Sequence, residues 1–386
     1  MQLNLDRISE ALPVVCGITL PCLIAFVSAY VGLRFRSIEY SREHADRATE
    51  RAERTVPDAA APKVFLDFAP LVAPEHANSI KAQNYYYSSV VKLFSGLFMA
   101  FLCAALSATV LRGSEMAKTF IGWAELGSLC LALLELRRGE IANRRWLAQR
   151  TLTELLRQYR FLQALFSSGF ESDDPGGAFY KERGRITDSV LKTDDVNKLA
   201  ERIYVFWRGR RAAYQILPGR CENQELSFYI ERRVEPQLDW FRSAQARLIS
   251  GERERKKSLT ILFGVSVVLA ITELVLHYIG QPGSEFPNVI ILFLLAATGA
   301  SAATMGIYLS QNRRSLVQQY NAQLRRIENW IVRARELSQE GRVLGISTSN
   351  RDCKVREYVL EFETLMIDEL VDWVCITGRD KLELSA

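Results

Sequence analysis

The stretch Leu259–Ile279, LTILFGVSVVLAITELVLHYI, is the part of the sequence that decides the fold class. A helix needs about 20 mostly apolar residues to cross about 30 Å of hydrocarbon, and this stretch meets that requirement. It nevertheless contains Glu273, with His277 one helical turn later. Since an ionised carboxylate in hydrocarbon is costly, Glu273 needs either a partner or a functional role.

Four further apolar runs are long enough to be transmembrane helices: Ala11–Leu33, Val90–Leu111, Thr119–Leu136 and Val289–Leu309. The run at 119–136 is the weakest, because it is short and contains Glu125 and Glu135, but only the brief turn RGSEMAK precedes it. The run at 11–33 is expected to be a retained anchor, since it is too long for the apolar part of a signal peptide. No segment alternates with a period of two, so we predict an all-α integral membrane protein with five transmembrane helices.

Basic clusters indicate the orientation of these helices. RFRS, RRGEIANRR, RERKK and NRR each flank a predicted span, and alternation of five spans places all four clusters on one side. Lysine and arginine are enriched on the cytoplasmic side of membrane proteins. We therefore predict a protein of the bacterial inner membrane with its N-terminus outside and its C-terminus in the cytoplasm.

The segments between the runs are predicted to be long cytoplasmic helices in a tandem repeat. Each unit has a lead-in helix, two spans joined by a short external turn, and a helix that continues from the second span. The predicted divisions are an anchor span with a charged helix at 1–56, a first two-span unit at 67–217, a second at 222–345, and a C-terminal helix at 352–376. The last has one apolar helical stripe, formed by Val355, Val359, Phe362, Met366, Leu370 and Trp373.

The lead-in of the second unit, IERRVEPQLDWFRSAQ, resembles the R-I-x-x-Q-x-x-W-Y-x-x-K-A pattern of SLATT domains, the two-transmembrane domains associated with bacterial nucleotide-signal conflict systems. Arg233, Val234, Gln237, Trp240, Phe241 and Ala244 carry the match, and Trp146 and Arg150 fit the helix after the second span of such a domain. The resemblance covers about 67–373. It implies a membrane effector that forms pores or disrupts membranes after an infection or a nucleotide signal. The run at 11–33 is extra, and no nucleotide-binding or cyclase domain is recognised, so the trigger is expected to act on the cytoplasmic helices or through a separate sensor protein.

Catalytic and metal-binding patterns were not found in the sequence. It contains no phosphate-binding glycine loop, nucleophile elbow or zinc-protease motif. The seven cysteines form no CxxC pair and the three histidines are scattered, so neither a metal site nor a disulfide framework is expected. The acidic pairs at 173–174 and 194–195 are interpreted as helix caps or solvated turns rather than as a catalytic pair. We predict a protein that is not an enzyme, has no cofactor, and, with a net charge of only +5, does not bind nucleic acid.

Two carboxylates occur at the same predicted depth in the membrane. Glu125 follows the external start of its span by six residues and Glu273 precedes the external end of its span by six, so both lie about 9 Å below the outer surface. In an oligomer they would form an acidic ring, which attracts cations into a pore. The alternative is structural: Glu273 bonds His277, and Glu125 bonds a neighbouring helix or extends to the surface.

The run at 289–309 contains small residues and hydroxyl groups. Gly299, Ala303 and Gly306 would let helix backbones approach closely. Thr298, Ser301 and Thr304 recur every three residues and form a hydroxyl stripe. That stripe would bond backbone carbonyls in a closed bundle or line water in an open oligomer.

The preferred prediction is a membrane effector that binds copies of itself and permeabilises the inner membrane when an intracellular signal releases its cytoplasmic helices. A non-conducting membrane scaffold or sensor and a constitutive small-ion channel are the alternatives. Its expected partners are the lipid bilayer, other copies of the chain and a separate signalling or sensor protein.

Overall fold

The computed structural model describes residues 63–109, 115–166, 174–193, 195–216, 223–279, 313–343 and 348–378, and eight single positions between 291 and 306. All of these lie in one compact unit, Ala59–Ala386. Their regular structure is helical throughout, without a strand, which confirms the all-α prediction for this part of the chain. The helices are α1 (Lys63–Thr109), α2 (Glu115–Phe166), α3 (Pro175–Ile186), α4 (Val196–Ile216), α5 (Asn223–Tyr229), α6 (Glu235–Ile279), α7 (Arg313–Val343) and α8 (Thr348–Gly378), with π-helical turns at Thr187–Leu191 and Ile230–Val234.

Helices α1 and α2 form a long antiparallel hairpin. Where they cross, a Cβ added to Gly96 would lie 3.2 Å from Cβ of Ala132, so the missing side chain lets the two backbones approach. Farther along, Tyr86 stacks on Trp146 with 5.7 Å between ring centroids, and Phe65 lies 4.9 Å from Phe161. The hairpin therefore stays packed from its apolar tip to its charged end.

One helix among the described residues, Pro70–Leu106 within α1, is long and apolar enough to cross a membrane. The neighbouring part of α2 exposes large apolar side chains, including Trp123 at 69%. Helix α6 likewise exposes Ile261, Val268 and Ile271. The five-span topology stays a prediction; the run at 11–33 and most of the run at 289–309 lie outside the described residues.

The rest of the described chain is a bundle with a well-packed interior, which we call the packed bundle. It comprises 63–90 of α1, 139–166 of α2, α3, α4, α5, 230–250, α7 and α8, and nearly all large buried side chains lie in it. Helix α8 packs against α2, α4 and α7. The predicted apolar stripe of this helix is confirmed, because Val355, Val359, Phe362, Met366, Leu370 and Trp373 are all buried.

Local sequence signals position several helix ends. The side chain of Asp174 accepts a 2.8 Å hydrogen bond from the N–H of Gly177 at the start of α3, and Asp195 accepts one of 2.8 Å from Asn197 at the start of α4. The capping interpretation is confirmed for these two residues. Pro236 has no N–H to donate, and the N–H of Glu235 instead bonds the carbonyl of Ile230, which closes the π turn before α6.

Candidate functional site

The predicted pore residues are only partly described. Glu125 is half-buried on α2, between exposed apolar neighbours. Glu273 lies on α6, but its side chain and that of His277 lie outside the described residues, and so do Thr298, Ser301 and Thr304. The acidic ring and the hydroxyl stripe therefore stay predictions.

Two of the predicted small packing residues lie against aromatic rings of α1. A Cβ added to Gly299 would lie 2.7 Å from Cδ1 of Phe101, which is too close for an unshifted side chain. A Cβ added to Gly306 would overlap the ring of Phe94. Ala303, between them, is half-buried. The segment that contains these residues therefore approaches the apolar half of α1.

Four of the residues that carried the SLATT resemblance, Trp146, Arg150, Trp240 and Phe241, lie at one junction of the packed bundle. The ring of Trp146 lies edge-on to Trp373 of α8, with centroids 5.0 Å apart, and Trp240 packs edge-on to Phe241 at 5.0 Å. The Arg150 guanidinium lies 3.9 Å from the ring centroid of Trp373 and 5.7 Å from that of Trp240. Gln237 is half-buried on the same lead-in helix. This junction joins α2, α6 and α8.

Arg150 is also paired with a carboxylate of α8. Its Nη2 lies 3.3 Å from Oε1 of Glu369, and only 15% of the arginine side chain is exposed. Burial raises the pKa of Glu369 to about 7, although Arg150 acts in the opposite direction. Burial alone would lower the pKa of Arg150, but Glu369 and Tyr320 raise it above its ordinary value. The arginine is therefore charged, and Glu369 titrates near neutral pH.

A second buried pair holds α8 farther from the hairpin tip. Nε and Nη2 of Arg233 donate to the two carboxylate oxygens of Glu363, each over 3.1 Å. The hydroxyl of Tyr229 donates to the same carboxylate over 2.7 Å. The side chains of Arg233 and Glu363 are 2% and 0% exposed. Burial and the nearby carboxylate raise the pKa of Tyr229 well above its usual value, so its hydroxyl remains a donor.

A third buried arginine, Arg210 on α4, contacts two other helices, α2 and α3. It pairs with Glu182 of α3, and its Nη1 donates over 2.9 Å to the carbonyl of Leu155 and over 3.0 Å to the side chain of Gln158. The Gln158 amide in turn donates to the Glu363 carbonyl of α8 over 3.5 Å. The charged groups thus form a connected network through the interior, which is favourable only while every partner is in place.

Side-chain amides contact the backbone of α8 along much of its length. Gln319 and Gln323 of α7 donate to the carbonyls of Glu369 and Leu365 over 3.0 and 3.3 Å, and Asn143 of α2 donates to that of Thr377 over 3.4 Å. The amide oxygens of these three side chains are buried without a hydrogen-bond partner. Helix α8 is therefore held by polar contacts as well as by its apolar stripe.

Sequence reasoning missed the carboxylates of this network. Glu363 falls on the apolar stripe between Val359 and Met366, at four-residue and three-residue spacings. A carboxylate in that register signals a buried charge with a partner. No corresponding signal in the sequence identifies which arginine is the partner, because the pairs join residues 130 or more positions apart.

No known protein family, curated protein or solved structure matches the chain. The SLATT resemblance therefore remains a prediction that rests on the quoted residues. Among the residues that the structure describes, no group of histidine, cysteine and carboxylate side chains has the arrangement of a metal site.

Proposed function

We propose that this chain is an effector of the bacterial inner membrane that oligomerises and permeabilises the bilayer in response to an intracellular signal. Five spans carry the membrane part, with the N-terminus outside, and the packed bundle lies in the cytoplasm. The bundle restrains the membrane helices, and a signal from a separate sensor protein or a nucleotide shifts that restraint. The expected family relationship is with the SLATT domains.

The observation that carries this proposal is the segregation of surface types along single continuous helices. Helix α2 exposes Trp123, Leu131 and Leu133 in its first half, whereas its second half buries Leu155, Leu156 and Leu162 in the packed bundle. A surface of this apolarity in water would favour aggregation, whereas it suits lipid or other copies of the chain. The candidate span Pro70–Leu106 runs beside it. The long helices would transmit movement of the bundle to the membrane.

Conductance of the purified protein in planar bilayers tests the proposal. Ion current from the full chain supports an effector or a channel, and its absence under all conditions in which oligomers form favours the scaffold alternative. Growth arrest on expression without any infection or signal would favour the constitutive channel over the triggered effector.

The acidic ring is tested in the same assay with Glu125→Gln and Glu273→Gln. Each substitution keeps the shape and removes the charge, so cation preference should fall while oligomer size is unchanged. Glu140→Gln is the matched control, because Glu140 is an exposed carboxylate farther along α2. Unchanged ion selectivity in both pore variants would show that the two carboxylates have a structural role only.

A further inference from the structure

Helix α8 forms buried ion pairs with two segments that belong to different predicted units. Glu369 pairs with Arg150 on α2, in the first unit. Glu363 pairs with Arg233 in the π turn that leads into α6, in the second unit. The two carboxylates are six positions apart on one helix. A single rigid element therefore fixes α2 and α6 relative to each other.

Both partner helices continue without a break toward predicted spans. Helix α2 runs as one helix over Glu115–Phe166 and includes the run at 119–136. Helix α6 runs over Glu235–Ile279 and ends with the run at 259–279. Arg233 lies within the π turn, three residues before Pro236, and such turns interrupt regular helix geometry. Movement of Arg233 relative to Arg150 would thus change the arrangement of two predicted membrane segments.

The buried ion pairs of α8 fix the position of this helix along its neighbours. They do so without giving the highest stability that its contacts could provide. Buried ion pairs are often no more stabilising than apolar pairs of equal volume, but loss of one partner is strongly unfavourable. The side-chain amides of Asn143, Gln319 and Gln323 also donate to backbone carbonyls of α8, and they could bond water instead if α8 moved away. A helix held in this way is specifically placed and still releasable.

We infer that α8 is an intramolecular latch: through Glu363 and Glu369 it holds α2 and α6 in the closed arrangement, and its displacement is the step that frees the membrane helices. This inference rests on the proposed function for its consequence, permeabilisation, but the mechanical role of α8 is testable without current. The triggering signal acts by displacing α8 from the helices against which it packs, α2, α4 and α7.

The first test weakens the latch in the full chain. Glu363→Gln with Arg150→Gln removes one charged partner from each of the two pairs, Arg233–Glu363 and Arg150–Glu369. Amide exchange of α8 should rise about a hundredfold or more, as expected for loss of buried charge partners. The matched control is Glu361→Gln, which removes a carboxylate of α8 that pairs with Arg333 on the surface at 2.6 Å. This control should leave exchange unchanged.

The second measurement reports the relative position of α2 and α6. In a background with all native cysteines replaced by serine, spin labels are attached at Glu140→Cys and Ser250→Cys, which are exposed on α2 and α6. The distance distribution between the labels should shift or broaden in the doubly substituted chain and not in the Glu361→Gln control. If α8 exchange rises while the label distance stays the same, or if exchange does not rise, the latch is refuted.

A reversible lock provides the converse test. A Cβ added to Gly378 would lie 3.2 Å from Cβ of Val196 on α4, so a separation of a few tenths of an ångström more would reach the about 3.5–4.5 Å of disulfide-bonded cysteines. Gly378→Cys with Val196→Cys, in the same cysteine-free background, should suppress bilayer current when oxidised and restore it on reduction. A current that is present and of equal size in both redox states would overturn the latch. A shift in label distance without current from any variant would instead refute the proposed function and leave the latch standing.

Discussion

The Arg233–Glu363 pair gives the sharpest prediction about stability. Both side chains are fully buried and share two hydrogen bonds of 3.1 Å. Glu363→Leu leaves the Arg233 guanidinium buried without its paired carboxylate. Arg233→Met leaves the Glu363 carboxylate buried without its paired guanidinium. Breaking a buried pair from one side costs about 3–5 kcal/mol. For a chain of this size each kcal/mol lowers Tm by about 2 °C, so each single variant should lose about 6–10 °C.

The double variant distinguishes the cost of breaking the ion pair from the cost of burying its two charges. Arg233→Met with Glu363→Leu replaces two charges by two apolar side chains, so most of the loss should be recovered. The hydroxyl of Tyr229 then has no acceptor, which leaves a cost of about 1–3 kcal/mol. Addition of Tyr229→Phe should remove that cost and bring stability to within about 1 kcal/mol of the parent chain.

Thermal unfolding of the detergent-solubilised protein measures this cycle through tryptophan fluorescence. Trp330 is a local reporter, since its ring lies 5.0 Å from that of Phe362 and 6.3 Å from that of Tyr229. The surface pair Arg333–Glu361, whose side chains are 48% and 44% exposed, is the control and should change stability by less than about 1 kcal/mol. If the double variant is as unstable as the worse single variant, the pair does not behave as a coupled buried charge and the reasoning is wrong.

Three further predictions follow from the described residues. Since burial raises the pKa of Glu369 to about 7, the contribution of this residue to stability is fully present below about pH 4.5 and is lost as the pH rises through about 7. The free energy of unfolding, measured by thermal unfolding, should therefore fall by about 2 kcal/mol between pH 5.5 and 8. Glu369→Gln should abolish this fall. Gly299→Leu forces a side chain into the ring of Phe101, so it should cost about 1–3 kcal/mol and reduce cross-linked oligomers, whereas Gly264→Leu on α6, where nothing lies within 4 Å, should not. A reporter fused after Ala386 should be active only in the cytoplasm; periplasmic activity would contradict the predicted orientation.

The helical character of the packed bundle could be predicted from the sequence because its signals are local. The stripe of α8 repeats every three or four residues, and all six of its predicted members are buried. The helix caps at Asp174 and Asp195 depend on neighbours two or three residues away. Both signals depend on residues that are close together in the sequence, so a short window is enough to detect them.

The pairing of charges could not be predicted in the same way. Helix α8 could have been placed beside any amphipathic helix, because an apolar stripe does not specify its partner. The choice of Arg150 and Arg233 depends on the long-range packing of α2, the π turn and α7 around it. The resemblance identifies Arg150 as a packing residue. Nothing in the sequence distinguishes its counter-charge, Glu369, from the other acidic residues of the stretch 361–372. The membrane residues Glu125 and Glu273 remain a prediction from spacing alone.

The two pairs hold α8 with different strengths, and this difference has a physical cause. Arg233 makes two hydrogen bonds to a carboxylate that water cannot reach, and Tyr229 adds a third. Arg150 makes one longer contact to Glu369 and also interacts with Tyr320 and with the ring of Trp373. Because burial raises the pKa of Glu369, the neutral carboxyl is favoured in the folded chain, and protonation exchanges the ionic contact with Arg150 for the removal of a buried charge. Glu363 is therefore the fixed attachment of α8, and Glu369, whose pKa is raised to about 7, is the adjustable one.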